Sequence, residues 1–175
     1  MNPSELLAEA FARIAPLAEH AVSGLAPEQL SWQPSPEANS IGWLVWHLAR
    51  VQDDHVAEAA DQQQVWQSGW ADRFALPYSA GATGYGQSSD QVRQFRVADG
   101  QLLVDYLRAV QDATLTFVNT LSSADLDRVV DDNWDPPVTL GIRLTSVVGD
   151  DLQHAGQANY LRGLLPANSD EPAEN

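Results

Sequence analysis

The sequence predicts an all-α chain, a four-helix bundle with a long loop between its second and third helices. Three observations carry this reading. Four segments repeat apolar residues at the 3/4 spacing of an amphipathic helix. No convincing strand pair is present. A single long stretch, 63–97, loses periodicity while keeping its aromatics. Helices that each bury one stripe pack against one another around a shared core.

The first helix is expected over 4–22, with Leu6, Leu7, Ala10, Phe11, Ile14, Leu17, Ala18 and Ala21 along its stripe. Ser4 is its candidate N-cap and Gly24 stands just past its end. Pro16 should kink or split it, because proline removes a donor and clashes with the carbonyl four residues earlier. Three prolines make 25–39 a connector, with a short turn at APEQL. Ser40 caps the second helix, SIGWLVWHLARVQDDHVAEAA, whose stripe runs through Leu44, His47, Leu48, Val51, Asp54 and His55. The 63–97 loop holds four glycines and the aromatics Trp66, Trp70, Phe74, Tyr78 and Tyr85, with a short helical turn at 90–96. Loops this long inside compact domains are usually functional or disordered; the aromatics argue for a packed, functional one and are candidates for the wall of a substrate pocket, with packing beneath the loop as the competing role. The third helix spans 98–121. SSADLDRVV reads as a capped turn and DDNWDPPVT as an extended passage. Thr139 opens the fourth helix, which stops before Pro166. The bundle should occupy 1–165, and 166–175 should be an acidic flexible tail.

Composition narrows the chemistry. There are 24 acidic residues against nine basic ones, all Arg, for a net charge of −15. A field of this sign repels phosphate backbones and no Arg cluster offsets it, which argues against a nucleic-acid partner. The chain has no Cys, which excludes disulfides, Cys-ligated zinc, iron–sulfur clusters and a thiol nucleophile of its own. It has no Lys either, which excludes a P-loop and a Schiff base. Any metal must therefore be held by His and carboxylates, and any reacting thiol must come from outside. The apolar runs are a few residues long, against roughly 20 needed to cross a bilayer, and the N-terminus lacks a signal-peptide core. A soluble cytoplasmic protein with no membrane partner is expected.

Two helices carry polar side chains on apolar stripes. On the fourth, Asp150 and His154 are i, i+4 and share a side with Val147, Ala158 and Leu161. On the second, His47 sits between Leu44 and Val51. Facing helices of a bundle can bring these three together. Two imidazoles and one carboxylate form a three-ligand site with open positions, as in catalytic zinc sites and the facial triads that hold iron. A cation would also offset the cost of burying Asp150. Spacing alone leaves the alternative open, in which the histidines are ordinary core or boundary residues. Asp54, His55 and Asp151 are rival ligands on nearby faces, and Asp54 is the candidate general base. His20 reads as surface. Arg143 and Arg162 could meet a carboxylate of a ligand, or simply line solvated helix faces.

The segments NSIGWLVWHLARVQD and DDLQHAGQANYLRGLL together resemble the DinB-like family of metal-dependent four-helix bundles. That family includes mycothiol- and bacillithiol-dependent thiol transferases and the metal-binding domain of mycothiol-dependent maleylpyruvate isomerase. The resemblance implies a metal at one end of the bundle, commonly zinc or nickel. Its ligands would be His47 from the W-L-V-x-H-L helix, His154 from the H-x-G-Q motif, and the residue four before it. Many members have His there and the mycothiol enzymes Glu. Asp150 is one methylene shorter than Glu and keeps the two-His, one-carboxylate set. The isomerase carries a further C-terminal domain that this sequence does not match.

The implied activity is a thiol S-transferase that activates a low-molecular-weight thiol, such as mycothiol, for attack on an electrophilic small molecule, a detoxifying reaction. A non-catalytic metal-binding bundle associated with stress and a metal-dependent hydrolase are the rival functions. A homodimer built through a helix face is a further expectation.

Overall fold

The computed structural model describes residues 1–166 and is a helical bundle. The acidic tail expected at the C-terminus lies, from residue 167 on, outside the described residues. Helix α1 (Pro3–Ala12) is followed directly by α2 (Ile14–Val22). The break falls at Arg13, not at Pro16. Pro16 is the third residue of α2, where its missing N–H costs nothing, while its ring excludes a continuous turn through Ala12. Asn2, not Ser4, caps α1, in a reciprocal box with Glu5.

A single turn, α3 (Pro27–Leu30), leads to α4 (Ile41–Ala60), capped by Ser40 as expected. The long loop contains α5 (Trp70–Phe74) and α6 (Ser89–Val92). Helix α7 (Gly100–Val118) starts at the Asp99 cap, and α8 (Leu140–Leu164) starts at Thr139. Between them lies a short pair of strands where no strand is expected. The end of the segment expected as a capped turn pairs with the end of the segment expected as extended, in a small antiparallel ribbon of β1 (Val129–Asp131) with β2 (Val138–Thr139). Its loop projects beside the start of α8.

Helix α4 packs against both α8 and α7, α2 packs against α8 and α7, and α1 packs against α7. The bundle is therefore a closed ring of α1/α2, α7, α4 and α8. From Ile41 to Arg50 every residue of α4 is buried. Neighbouring helices cover one side and the long loop covers the other. Trp46 is the hub of that cover, with Trp66, Tyr78 and Phe95 within 6.3 Å between ring centres. No helix among the described residues is long and apolar enough to cross a membrane.

Candidate metal centre

His47 is held on three sides. Its Nδ1 lies 2.6 Å from the Thr83 carbonyl oxygen, which can only accept, so Nδ1 carries the proton and Nε2 offers its lone pair. Trp43, one turn earlier on α4, stacks on the ring at 4.6 Å. Gly84 closes the third side with φ +97°, and a Cβ there would stand 2.7 Å from His47 Nδ1 and 2.9 Å from Trp43. Only glycine allows the loop to pass this close to the imidazole. Burial lowers the His47 pKa below the usual histidine value, which favours the neutral, ligating form.

Asp150 and His154 stand one turn apart on α8, with Oδ1 and Nε2 separated by 3.5 Å. His154 Nδ1 donates to Gln157 Oε1 at 2.9 Å, so this ring too turns Nε2 inward. The hydrogen bond to Asp150 raises the His154 pKa, and the same bond lowers that of Asp150. The other carboxylate oxygen, Asp150 Oδ2, is buried and has no hydrogen-bond partner.

The rings of His47 and His154 meet edge to face at 4.8 Å. One ligand atom from each of His47, Asp150 and His154 lies within 4.8 Å of the other two. The group can hold a metal ion, and its chemistry suits a divalent one. Two imidazoles have their outer nitrogens committed to fixed acceptors, the usual support of metal-ligating histidines. An orphaned carboxylate oxygen is left where a cation would satisfy it.

The rival ligands sit elsewhere. Asp151 turns into the core with no exposed surface, and neither carboxylate oxygen has a partner; burial pushes its pKa well above the carboxylate range. Asp54 accepts from Gln64 Nε2 at 2.6 Å. His55 Nδ1 accepts from Arg143 Nη1 at 2.7 Å, and burial followed by the Arg143 charge lowers its pKa. Arg143 also bonds Asp131 at 2.9 Å, so its side chain is fixed, not solvated. Arg162 donates to the Ala21 and Ser23 carbonyls and closes the end of α2. His20 is exposed and contacts Asn159.

A cavity of about 630 Å³ extends from His47 and Asp150 along α4 and α8 to Asp54, His55 and Arg143. Val51, Val138, Ile142 and Val147 form its apolar side. Of the five loop aromatics, Tyr85 lines the cavity, while Trp66 and Phe74 are core residues and Trp70 and Tyr78 pack partly buried above them. A further aromatic that the sequence pattern does not single out also lines the cavity. Trp134, in the β1–β2 loop, is 67% exposed at the mouth, and Tyr85 is 92% exposed. A Trp within a Pro- and Asp-rich segment is the signal the sequence offers.

Residues 5–167 match the model of the mycothiol-S-transferase family. Among solved structures, the chain is similar to one titled "Crystal structure of the conserved protein of locus from Enterococcus faecalis". That likeness has a TM-score of 0.88 at 30% identity, over 94% of this chain and 97% of that one. No curated protein matches.

Proposed function

The chain belongs to the mycothiol S-transferase family, and from that premise we propose that it joins a low-molecular-weight thiol of the mycothiol type to an electrophilic small molecule with the help of a divalent ion. His47, Asp150 and His154 are its proposed ligands, with zinc the expected ion and nickel the alternative. The observation that carries the reading is the unpartnered Asp150 Oδ2 beside two inward-turned imidazoles, at the end of an open cavity. When bound, such an ion lowers the pKa of a coordinated thiol and so supplies thiolate near neutral pH.

The chain's own residues do the rest. Thr83 and Gln157 hold the two imidazoles in their ligating tautomers. Trp43 and Gly84 exclude water from behind His47. The apolar side of the cavity receives the body of the electrophile, and Tyr85 and Trp134 flank its entry. With no Cys in the sequence, the attacking sulfur arrives with the substrate.

The test is conjugation of mycothiol to an electrophile by protein treated with EDTA and then reloaded with zinc. Loss and return of activity are expected. Unchanged conjugation after metal removal contradicts the proposal, and turnover without thiol favours the hydrolase instead.

A further inference from the structure

Two side chains of α4, His47 and Arg50, donate to consecutive carbonyls of the long loop. His47 Nδ1 reaches Thr83 O at 2.6 Å and Arg50 Nε reaches Ala82 O at 3.1 Å. They are three residues apart, hence on one side of the helix. Arg50 is completely buried, and each arm of its guanidinium has a fixed partner. Nη1 bonds Asp53 Oδ2 at 3.3 Å and the Tyr106 hydroxyl at 3.2 Å, while Nη2 bonds Gln64 Oε1 at 3.0 Å. Asp53 in turn accepts the backbone N–H groups of Val65 and Trp66, each at 2.8 Å, and the Tyr106 hydroxyl at 2.8 Å. Trp66 Nε1 donates to Ala80 O at 3.0 Å, and its ring lies under the Arg50 guanidinium at 4.8 Å. A single buried network therefore grips the loop at its start, 65–66, and at its middle, 80–82, one residue before the carbonyl that orients His47.

We propose that Arg50, braced by Asp53 and Trp66, is a positioning residue for the metal centre: it fixes the Ala82 carbonyl, and through it the adjoining Thr83 carbonyl that sets the Nδ1–H tautomer of His47. A buried charge pair is a costly way to stabilise a core, and apolar replacements of similar volume often serve as well or better. A planar fork that fixes the loop beside a ligand gives the cost a purpose. The inference rests on His47 being a ligand, and it concerns the metal-free chain's geometry as well.

The test is the His47 tautomer by ¹⁵N–¹H NMR on the metal-free full chain, with zinc affinity measured in parallel by competition with a chromophoric chelator. Arg50→Lys keeps a cation beside Asp53 but cannot reproduce the fork. It is expected to mix the Nδ1–H and Nε2–H tautomers and to weaken zinc binding by about 10–100-fold, the usual scale for losing outer support of a ligand. Trp66→Phe releases Ala80 alone and should give a smaller change in the same direction. A purely structural Arg50 would lower the melting temperature and leave the tautomer as it is. A folded Arg50→Lys variant with wild-type tautomer and zinc affinity overturns the inference. If that variant does not fold, an unchanged tautomer in Trp66→Phe overturns it. Should the tautomer shift in chains that bind no zinc, the positioning role stands and the metal reading falls.

Discussion

Gln157 Oε1 lies 2.9 Å from His154 Nδ1, one turn further along α8. This contact gives the H-x-G-Q motif a physical reason. The glutamine is the acceptor that turns His154 Nε2 toward Asp150 and His47. Gln157 is itself exposed, so removing its side chain should spare the fold. Gln157→Ala is expected to lower zinc affinity by about tenfold or more with an unchanged melting temperature, read by chelator competition and thermal unfolding.

Metal uptake should release a proton, and the source is assignable. Asp150 holds the His154 pKa above the usual histidine value, whereas burial holds that of His47 below it. Near pH 6.5 the metal-free protein thus carries the proton on His154 and leaves His47 neutral. Binding displaces it, so affinity rises with pH through that range and levels off above the raised His154 pKa. Calorimetry in buffers of different ionisation enthalpy should show proton release in the wild type and its loss in His154→Ala.

Asp151 contributes instability. Its two carboxylate oxygens are buried without partners, which costs about 1–3 kcal/mol against a matched apolar side chain. Its folded pKa is raised, so an ionisation penalty, absent below the ordinary carboxylate pKa, adds to that cost as pH rises toward the folded value. Asp151→Leu should raise the melting temperature of the metal-free protein by about 2–4 °C for each kcal/mol gained. The gain should be larger at pH 7 than at pH 4. A variant less stable than wild type at pH 7 contradicts this.

How much of this was legible in the sequence depends on what each signal reports. The four main helices were, because caps such as Ser40 and Thr139 and the 3/4 stripes are local properties. Asp150 and His154 were, because i, i+4 spacing fixes their separation. Helix α4 differs on one point: the 3/4 stripe predicts Asp54 as buried, whereas the structure buries Asp53 and leaves Asp54 facing the cavity. A helix buried on all sides at its first ten residues has no polar face to set the phase. The Arg50–Asp53 network and the roles of Thr83 and Gly84 were not legible. They depend on where a 35-residue loop returns, which no local pattern encodes. The β1–β2 ribbon escaped because strands of two or three residues are too short for alternation to register.

Gly84 should be the most sensitive loop position. A Cβ there meets His47 and Trp43 at under 3 Å and requires a left-handed φ of +97°. Gly84→Ala is expected to cost about 1–3 kcal/mol and to displace His47, visible together as a lower melting temperature and weaker zinc binding. Alanine at Gly81, where a Cβ meets nothing within 4 Å, serves as the matched control.

Trp134 and Tyr85 stand at the entry to the cavity from two different loops. Trp134→Ala should raise KM for aromatic electrophiles by about tenfold, the worth of one lost stacking contact, with kcat nearly unchanged. KM for a small electrophile such as iodoacetamide should not move. Steady-state kinetics with the two substrate types checks this.

The most direct measurement is the metal content of the purified full chain by mass spectrometry after zinc loading and gel filtration, for the wild type and for His47→Ala, Asp150→Ala and His154→Ala. One zinc per chain in the wild type, and loss of it in each variant with the helical signature retained, is the predicted result. Zinc retained at one per chain after both histidine substitutions would contradict the assignment of the centre to these residues.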